Sequence, residues 1–451
     1  MKLGQRISSR VTAVIPTGRS RRLAAGVITG VLTKGTAFAM TLLMVPMALG
    51  YLGPERYGVW VTMISMLAWL SLMDLGIANG LTPALSEAFG KKREDLAREY
   101  VATAIWSLTA IAVMVGVVLA GTWRIIDWGY LFNVQEVGLI RDISVAMALA
   151  AGLFLVQLPL AVNQRILLAY QEGVVANLCQ LSTSAAGLIG IYLATRTEGG
   201  LAYLVLGYLG FQVAVALAIM AWLFAFSKPE LRPLLVPRIA QAKKVFSFGG
   251  LFVVMQLGAL LVFQKDLPLI TKFLGPEVAA SYSVIWQLFL YVNIINLLLA
   301  PYLAPAFGEA SAVGDVRWLR IAFFRYLGGS LACVLLATLL IGVFYRDILE
   351  FWIGGVVIPT PTTVLWLGLW TIISAFISPS TALLQGVGRL KYFTVMYFTA
   401  SISGFLLSLL LIPRVGMHGG IMASTICFAV ILVWPTAREI RKCLATTSAC
   451  L

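Results

Sequence analysis

The 451-residue chain has few charged residues and a single histidine, and these shortages restrict its chemistry. Charged residues make up 12% of the sequence, against about 25% in a typical soluble domain. Runs of about 20 apolar residues recur along the chain, and a soluble core of this size could not bury them all. Soluble-enzyme functions are therefore excluded. Because His418 stands alone, histidine-based metal sites and Ser-His-Asp triads are disfavoured as well.

Cysteine is scarce, and its positions predict neither a disulfide nor a metal centre. Three cysteines lie inside apolar runs and two in the C-terminal tail, without CxxC spacing: Cys179, Cys333, Cys427, Cys443 and Cys450. We expect no cofactor and no metal. The sequence also lacks a Walker motif for ATP, so any uphill step must draw on an ion gradient or a partner.

Lysine and arginine outnumber the acidic residues by 33 to 19, which gives a net charge of +14. These residues lie in short segments between apolar runs, so membrane orientation explains them better than nucleic-acid binding does. Most of them fall in alternate loops on the same side as the N-terminal cluster between Lys2 and Arg22. Because Lys and Arg are retained in the cytoplasm, we predict that both termini are cytoplasmic and that the basic loops contact membrane lipids.

The apolar runs predict an all-α polytopic membrane protein with twelve transmembrane helices. The predicted helices are residues 23–50, 57–83, 101–121, 143–164, 174–194, 201–226, 246–271, 279–306, 326–345, 362–384, 393–412 and 419–437. The corresponding domains are a cytoplasmic tail at 1–22, an N-lobe at 23–226, a cytoplasmic linker at 227–245, a C-lobe at 246–437 and a cytoplasmic tail at 438–451. The external loops are too short for the catalytic groups of a membrane glycan polymerase, which favours transport.

An internal repeat divides the chain into two six-helix halves. At a constant offset of 222 residues, the segment Leu52-Gly53-Pro54-Glu55 matches Leu274-Gly275-Pro276-Glu277. An even number of spans separates the two copies, so the repeat is parallel, with its pseudo-twofold axis along the membrane normal. Halves related in this way enclose a central cleft.

Pro46 and Pro268 are matched by the same offset. Each falls inside a predicted helix about eight residues before its end, where proline removes a backbone N–H and favours a kink. We predict that these kinks are hinges for alternating access, with a static bend as the alternative.

Ionisable side chains at bilayer depth are costly and mark candidate sites. Lys34 lies about 16 Å into the first span at 1.5 Å per residue, and its repeat partner is Gln256. Asp74 lies in the second span, and its repeat partner is Asn296. Polar residues at matching depths predict a polar cavity lining for substrate or ion contact. A structural salt bridge between Lys34 and Asp74 is the alternative.

Lys265 and Asp266 complete the set of candidate cavity residues. Neighbouring residues of a helix point about 100° apart, so we expect that these two do not share a face. Lys265 lies close to the outer end of its span and is expected to extend its ammonium to the interface. Asp266 remains a candidate for substrate or ion contact.

The first two spans resemble those of a known family. The motifs Leu52-Gly53-Pro54-Glu55, Tyr57-Gly58-Val59-Trp60 and Asp74-Leu75-Gly76 resemble the opening of bacterial Wzx-type polysaccharide or O-antigen flippases. These belong to the multidrug/oligosaccharidyl-lipid/polysaccharide (MOP) exporter superfamily, together with the MATE transporters. The resemblance implies a MATE-like fold with no enzymatic activity. It also implies that undecaprenyl-pyrophosphate-linked oligosaccharide is moved from the cytoplasmic to the periplasmic leaflet of the bacterial inner membrane.

In relatives, cationic residues of the central cavity meet the pyrophosphate and acidic sugars, and Lys34 fits that expectation here. An arginine-rich cavity is not evident in this sequence. Coupling to H⁺ or Na⁺ and contacts with polymerase or assembly proteins stay open. Two alternatives also stay open: a cation-coupled multidrug exporter of the same superfamily, and a membrane-embedded glycan-processing enzyme that would use the external acids Asp127, Glu136, Asp347 and Glu350.

Overall fold

A computed structural model of the chain describes residues 18–234 and 250–445, and within these ranges every regular element is a helix. Ten described segments are long and apolar enough to cross a membrane. The first of them, Thr29–Asp74, joins two passes because Gly53 inside it is non-helical. The helices Pro276–Val292 and Ile294–Ala312 are not among the ten. The protein is therefore an all-α polytopic membrane protein, and this division is compatible with twelve passes.

The N half, residues 18–234, contains nine described α-helices joined by turns and short 3₁₀ or π segments. They are α1 (Gly18–Leu70), α2 (Ile77–Gly90), α3 (Glu94–Thr122), α4 (Trp128–Phe132), α5 (Val137–Leu160), α6 (Val162–Ala169), α7 (Gly173–Ala194), α8 (Gly200–Val205) and α9 (Phe211–Trp222).

The C half, residues 250–445, also contains nine described α-helices. They are α10 (Gly250–Phe263), α11 (Asp266–Leu274), α12 (Pro276–Val292), α13 (Ile294–Ala312), α14 (Val316–Ile353), α15 (Pro361–Gly386), α16 (Leu390–Val415), α17 (Gly419–Cys427) and α18 (Trp434–Ala445). Helix α14 is longer than the predicted span 326–345, because a membrane helix continues past the charged residues that end its apolar run. The predicted tail at 1–22 and linker at 227–245 lie largely outside the described residues.

The two halves turn in the same way at repeat-related glycines. Gly53 has φ 73° and ψ 170°, and Gly275 has φ 94° and ψ 163°. Positive φ is strained for residues with a Cβ, and the proline that follows each glycine suits the first turn of the next helix. We call the end of the bundle with these two turns the Gly53 end. The opposite end, which carries Lys91, Arg93 and Arg98, is the basic end.

The second pass of each half is broken at equivalent depth. In the N half, a 3₁₀ segment Ser71–Asp74 is followed by left-handed Leu75 and Gly76 before α2 begins. In the C half, Asn293 separates α12 from α13. The offset of 222 residues pairs Ser71 with Asn293. The breaks place polar side chains where continuous apolar helices would otherwise pass.

Pro46 and Pro268 differ in their surroundings, although the repeat matches them. Pro46 lies inside α1, whose one non-helical residue is Gly53. Pro268 lies in the first turn of α11, directly after the break that separates Phe263 from Asp266. The predicted kink therefore has a backbone counterpart at Pro268 and none at Pro46.

Described contacts between the halves concentrate toward the Gly53 end. The hydroxyls of Thr62 and Thr271 lie 2.5 Å apart. Gly58 packs so tightly on Pro276 that an added Cβ would lie 1.7 Å from the proline carbonyl oxygen. At the other end, α2 packs mainly on α3 and α6, and α13 mainly on α15 and α14. The halves are thus joined at the Gly53 end.

Candidate functional site

A central cavity of about 780 Å³ lies between the halves. Its lining comes from α1, α6 and α7 of the N half and from several helices of the C half. Aromatic rings from both halves face it, including Phe38, Phe263, Trp286, Tyr291, Trp370 and Tyr397. Amide and hydroxyl groups of Gln164, Asn177, Gln180, Asn293 and Ser374 lie among the rings. The cavity therefore offers flat apolar faces together with hydrogen-bonding groups.

Lys34 lines this cavity. Among the described lining residues it is the one that carries a formal charge. It makes no hydrogen bond or ion pair to another described side chain, and its side chain is exposed. A cation without a protein counter-ion inside a membrane bundle is available to an anionic ligand.

Asp74 lies at the helix break, not in the central cavity, and lines a second cavity of about 380 Å³ within the N half. The backbone N–H of Gly76 donates to its Oδ1 at 2.6 Å. The guanidinium of Arg165 attracts the carboxylate from beyond ion-pair distance. The alternative Lys34–Asp74 salt bridge is not formed, because the two residues line different cavities.

The repeat partners of these residues have different environments. Asn296 is buried at the central cavity, where its Nδ2 donates to Asn293 Oδ1 at 3.2 Å and its Oδ1 has no partner within the described ranges. Gln256 does not line that cavity. Its Nε2 donates to the carbonyl oxygen of Ser71 at 3.1 Å and thereby joins the halves.

Lys265 and Asp266 correct two of the sequence-based expectations. Lys265 is 2% exposed and does not extend to an interface. Its Nζ donates to Asp266 Oδ1 and to the carbonyl oxygen of Gly420, and the hydroxyl of Tyr282 donates to Asp266 Oδ2 at 2.7 Å. The two neighbours can meet because the helix is interrupted before Asp266 and the lysine stem is long. Neither residue lines the central cavity.

Three neighbouring spaces share lining residues with the central cavity. It shares Gln164 and Gln180 with the cavity within the N half, and Phe263 and Trp286 with a pocket of about 500 Å³ toward the Gly53 end. It also shares Ser378 with a groove of about 720 Å³ between α13 and α15 of the C half. These spaces therefore adjoin the central cavity.

Several cavity residues escaped sequence-based reasoning. Gln164, Asn177 and Gln180 lie in or near apolar helices, and a single polar amide there is as consistent with helix association as with a site. Three amides on two neighbouring helices of the N half were the available signal, but their common direction depends on how α6 and α7 pack.

Asp127, one of the acids predicted to be external, has a structural role. Asp127 accepts a hydrogen bond from the backbone N–H of Tyr130 at 2.9 Å and so caps α4. No group of three His, Cys, Asp or Glu side chains suited to a metal occurs within residues 18–234 and 250–445. His418 lies in the turn before α17, where burial lowers its pKa.

Comparison with known proteins agrees with this architecture. Residues 51–345 match the family model described as "Polysaccharide biosynthesis protein". A Salmonella typhimurium (strain LT2) protein provisionally named an O-antigen transporter is 22% identical over 416 residues, which cover 89% of this chain and 93% of that protein.

Solved structures share the fold at low sequence identity. An inward-facing multidrug resistance MATE family transporter of the MOP superfamily is 14% identical, with a TM-score of 0.76 over 92% of this chain and 96% of that chain. A MOP superfamily transporter from Pyrococcus furiosus, whose binding pocket is described as having reverse polarity, is 14% identical, with a TM-score of 0.65 over 94% and 96% of the two chains. The protein therefore belongs to the polysaccharide biosynthesis protein family and has the fold of MOP-superfamily transporters.

Proposed function

We propose that the protein flips undecaprenyl-pyrophosphate-linked oligosaccharide from the cytoplasmic to the periplasmic leaflet of a bacterial inner membrane. The observation that carries this proposal is Lys34, a cation that has no counter-ion among the described residues and lines a cavity between the two halves. Family membership and the name of the Salmonella relative support a polysaccharide substrate. The chain acts as a transporter, not as an enzyme.

The chemistry of such a substrate suits the cavity. A pyrophosphate-linked glycan carries charges and hydroxyls that are costly to place in hydrocarbon, whereas its polyprenyl tail is stable in lipid. Lys34 supplies a charge for the pyrophosphate, and the aromatic rings and amides supply apolar faces and hydrogen bonds for sugars. A cationic drug would meet the uncompensated ammonium of Lys34, which disfavours the multidrug alternative.

The contacts between the halves suggest the working cycle. With the Gly53 end joined by Thr62 and Thr271, the cavity is loaded from the basic end. The distribution of Lys and Arg makes that end cytoplasmic. Opening the Gly53 end and closing the basic end would then release the glycan outside, with Pro46 and Pro268 as the proposed hinges.

The cycle also needs a driving force. Coupling to H⁺ or Na⁺ and association with polymerase or assembly proteins are parts of this proposal. Purified protein in liposomes, with and without an imposed H⁺ or Na⁺ gradient, measures the coupling directly. A flipping rate that responds to neither gradient would assign the driving force to a partner or to consumption of the product.

The test of the transport function uses Lys34 variants in a cell that lacks its own flippase. Lys34→Gln should reduce export of the lipid-linked glycan by about 10- to 100-fold, because it removes a charge-assisted hydrogen bond to the pyrophosphate. Lys34→Arg should retain most export. Lys91→Gln is the matched control, since Lys91 lies at the basic end and pairs with Glu87. Full export by Lys34→Gln would contradict a role for Lys34 in binding the pyrophosphate.

A further inference from the structure

The cavity within the N half, which we call the N-half chamber, is built from amides. Its volume is about 380 Å³, at the small end of the range for small-molecule sites. The polar side chains that define it are Asp74, Gln157, Asn163, Gln164, Gln180 and Gln212. A set of carboxamides around one carboxylate lies here between helices that are otherwise apolar.

The glutamines of the N-half chamber have unused hydrogen-bonding capacity. In the part of the chain that the structure describes, the side-chain amides of Gln157, Gln164, Gln180 and Gln212 make no hydrogen bond to another protein group. Each carboxamide offers two donors and an acceptor oxygen. Gln164 and Gln180 are exposed and Gln157 and Gln212 are partly buried. These four unpaired amides are therefore accessible to a polar ligand in the same space.

Asn163 supplies an independent indication. It is 6% exposed, its Nδ2 donates to the carbonyl oxygen of Ala216 at 2.9 Å, and its Oδ1 has no partner among the residues that the structure describes. Orphaned acceptors at this degree of burial are rare in native proteins. A ligand hydroxyl in the N-half chamber would satisfy the Asn163 oxygen.

Charge balance favours a neutral ligand. Asp74 is the carboxylate of the N-half chamber, and Arg165 attracts it from beyond ion-pair distance. The positive charge of Arg165 weakens the attraction of Asp74 for a bound cation. The carboxylate oxygens remain strong acceptors for hydroxyl groups. Amides and a carboxylate together match vicinal hydroxyls, which donate and accept in alternation.

We infer that the N-half chamber is a subsite for an uncharged sugar unit of the transported glycan. This inference rests on the proposed function. The N-half chamber and the central cavity share Gln164 and Gln180, so a glycan with its pyrophosphate at Lys34 can place its first sugars against the amides. Lys34 and the aromatic rings then bind the pyrophosphate end of the glycan, and the N-half chamber binds the sugar.

Cys179 provides a direct binding readout because it lines the N-half chamber. In purified protein, N-acetylglucosamine or maltose should slow modification of Cys179 by N-ethylmaleimide, as measured by peptide mass spectrometry. Cys333 is exposed in the C half and serves as the internal reference. Gln157→Leu should abolish the protection. Absence of protection by either sugar, or protection by Na⁺ in place of sugar, would overturn the inference and indicate an empty or cation-binding chamber.

Transport measurements separate this inference from the proposed function. In liposomes, Gln157→Leu and Gln212→Leu should slow flipping of undecaprenyl pyrophosphate that carries one N-acetylglucosamine by about tenfold, and leave flipping of sugar-free undecaprenyl pyrophosphate unchanged. Gln135→Leu, on the exposed loop before α5, is the control. Equal losses for both lipids would contradict a sugar subsite. If the unaltered protein flips neither lipid while sugars still protect Cys179, the proposed function fails, and the N-half chamber is a sugar-binding site without a role in transport.

Asp74 variants distinguish a sugar from an ion at the same position. Asp74→Asn keeps a hydrogen-bond acceptor and should retain most sugar protection of Cys179, whereas Asp74→Leu should lose it. A cation site would respond equally to both changes. Equal loss with the two variants would therefore count against the sugar subsite.

Discussion

The hydroxyl of Ser65 lies 2.8 Å from the carbonyl oxygen of Gln264 and joins the N half to the C half. That carbonyl is four residues before Pro268, which has no N–H to donate to it. The indole N–H of Trp69 approaches the same oxygen at 3.4 Å. The helix break at Pro268 thus exposes an acceptor in the C half that the second pass of the N half satisfies.

These contacts predict how the Gly53 end opens. The double variant Ser65→Ala/Trp69→Phe should weaken closure at that end, because each lost hydrogen bond contributes about 0.5–1.5 kcal/mol. A Thr62→Cys substitution supplies the reporter. Its thiol should react several-fold faster with an impermeant maleimide added outside in the double variant than in the protein with Ser65 and Trp69 intact. Ser182→Ala is the control, since Ser182 bonds only its own helix at Leu178. Unchanged reactivity would show that closure does not depend on these two hydrogen bonds.

Pro268→Ala tests the hinge. Alanine restores the N–H that can bond to Gln264 and make the helix continuous across the break, so we expect slower transport without loss of thermal stability. Pro46→Ala should have a smaller effect, because Pro46 lies in a helix with no break beside it. Equal, unchanged transport rates for both variants would reject the hinge at either proline.

The ion pair of Lys265 and Asp266 predicts a non-additive pattern of stability. Lys265→Met or Asp266→Leu alone leaves a buried charge without its partner and should lower the free energy of unfolding by about 3–5 kcal/mol. The double variant should recover much of that loss, because no uncompensated charge remains. Thermal unfolding of the purified protein in detergent measures the three variants, and additive losses would contradict a coupled pair.

Close packing of α7 on the π segment after α8 gives a prediction about glycine. An added Cβ at Gly190 would lie 1.9 Å from the carbonyl oxygen of Gly207, so the backbones touch directly. Overpacking of a core ordinarily costs about 1–3 kcal/mol, and Gly190→Val should destabilise the N half by more than this. Gly152→Val is the matched control, because nothing lies within 4 Å of its Cβ position. Equal unfolding temperatures for the two variants would contradict this packing.

The pairing of Lys265 with Asp266 could not be predicted from the sequence. An unbroken helix separates neighbouring side chains by about 100°, and the prediction rested on that geometry. The interruption between Phe263 and Asp266 removed the constraint. Pro268 was the visible signal of the break, but its consequence for the charges depended on Tyr282 and Gly420 from other helices.

Sequence alone determined the membrane class, the approximate spans and the matched turns at Gly53 and Gly275, because hydrophobic run length and backbone constraint act locally. Tertiary structure decided that Lys34 and Asp74 face different cavities and that Lys265 pairs inside the C half. It also brought the amides of α5, α6, α7 and α9 around one space. Those arrangements depend on the rotation of each helix about its axis, which is set by packing against neighbours distant in the chain.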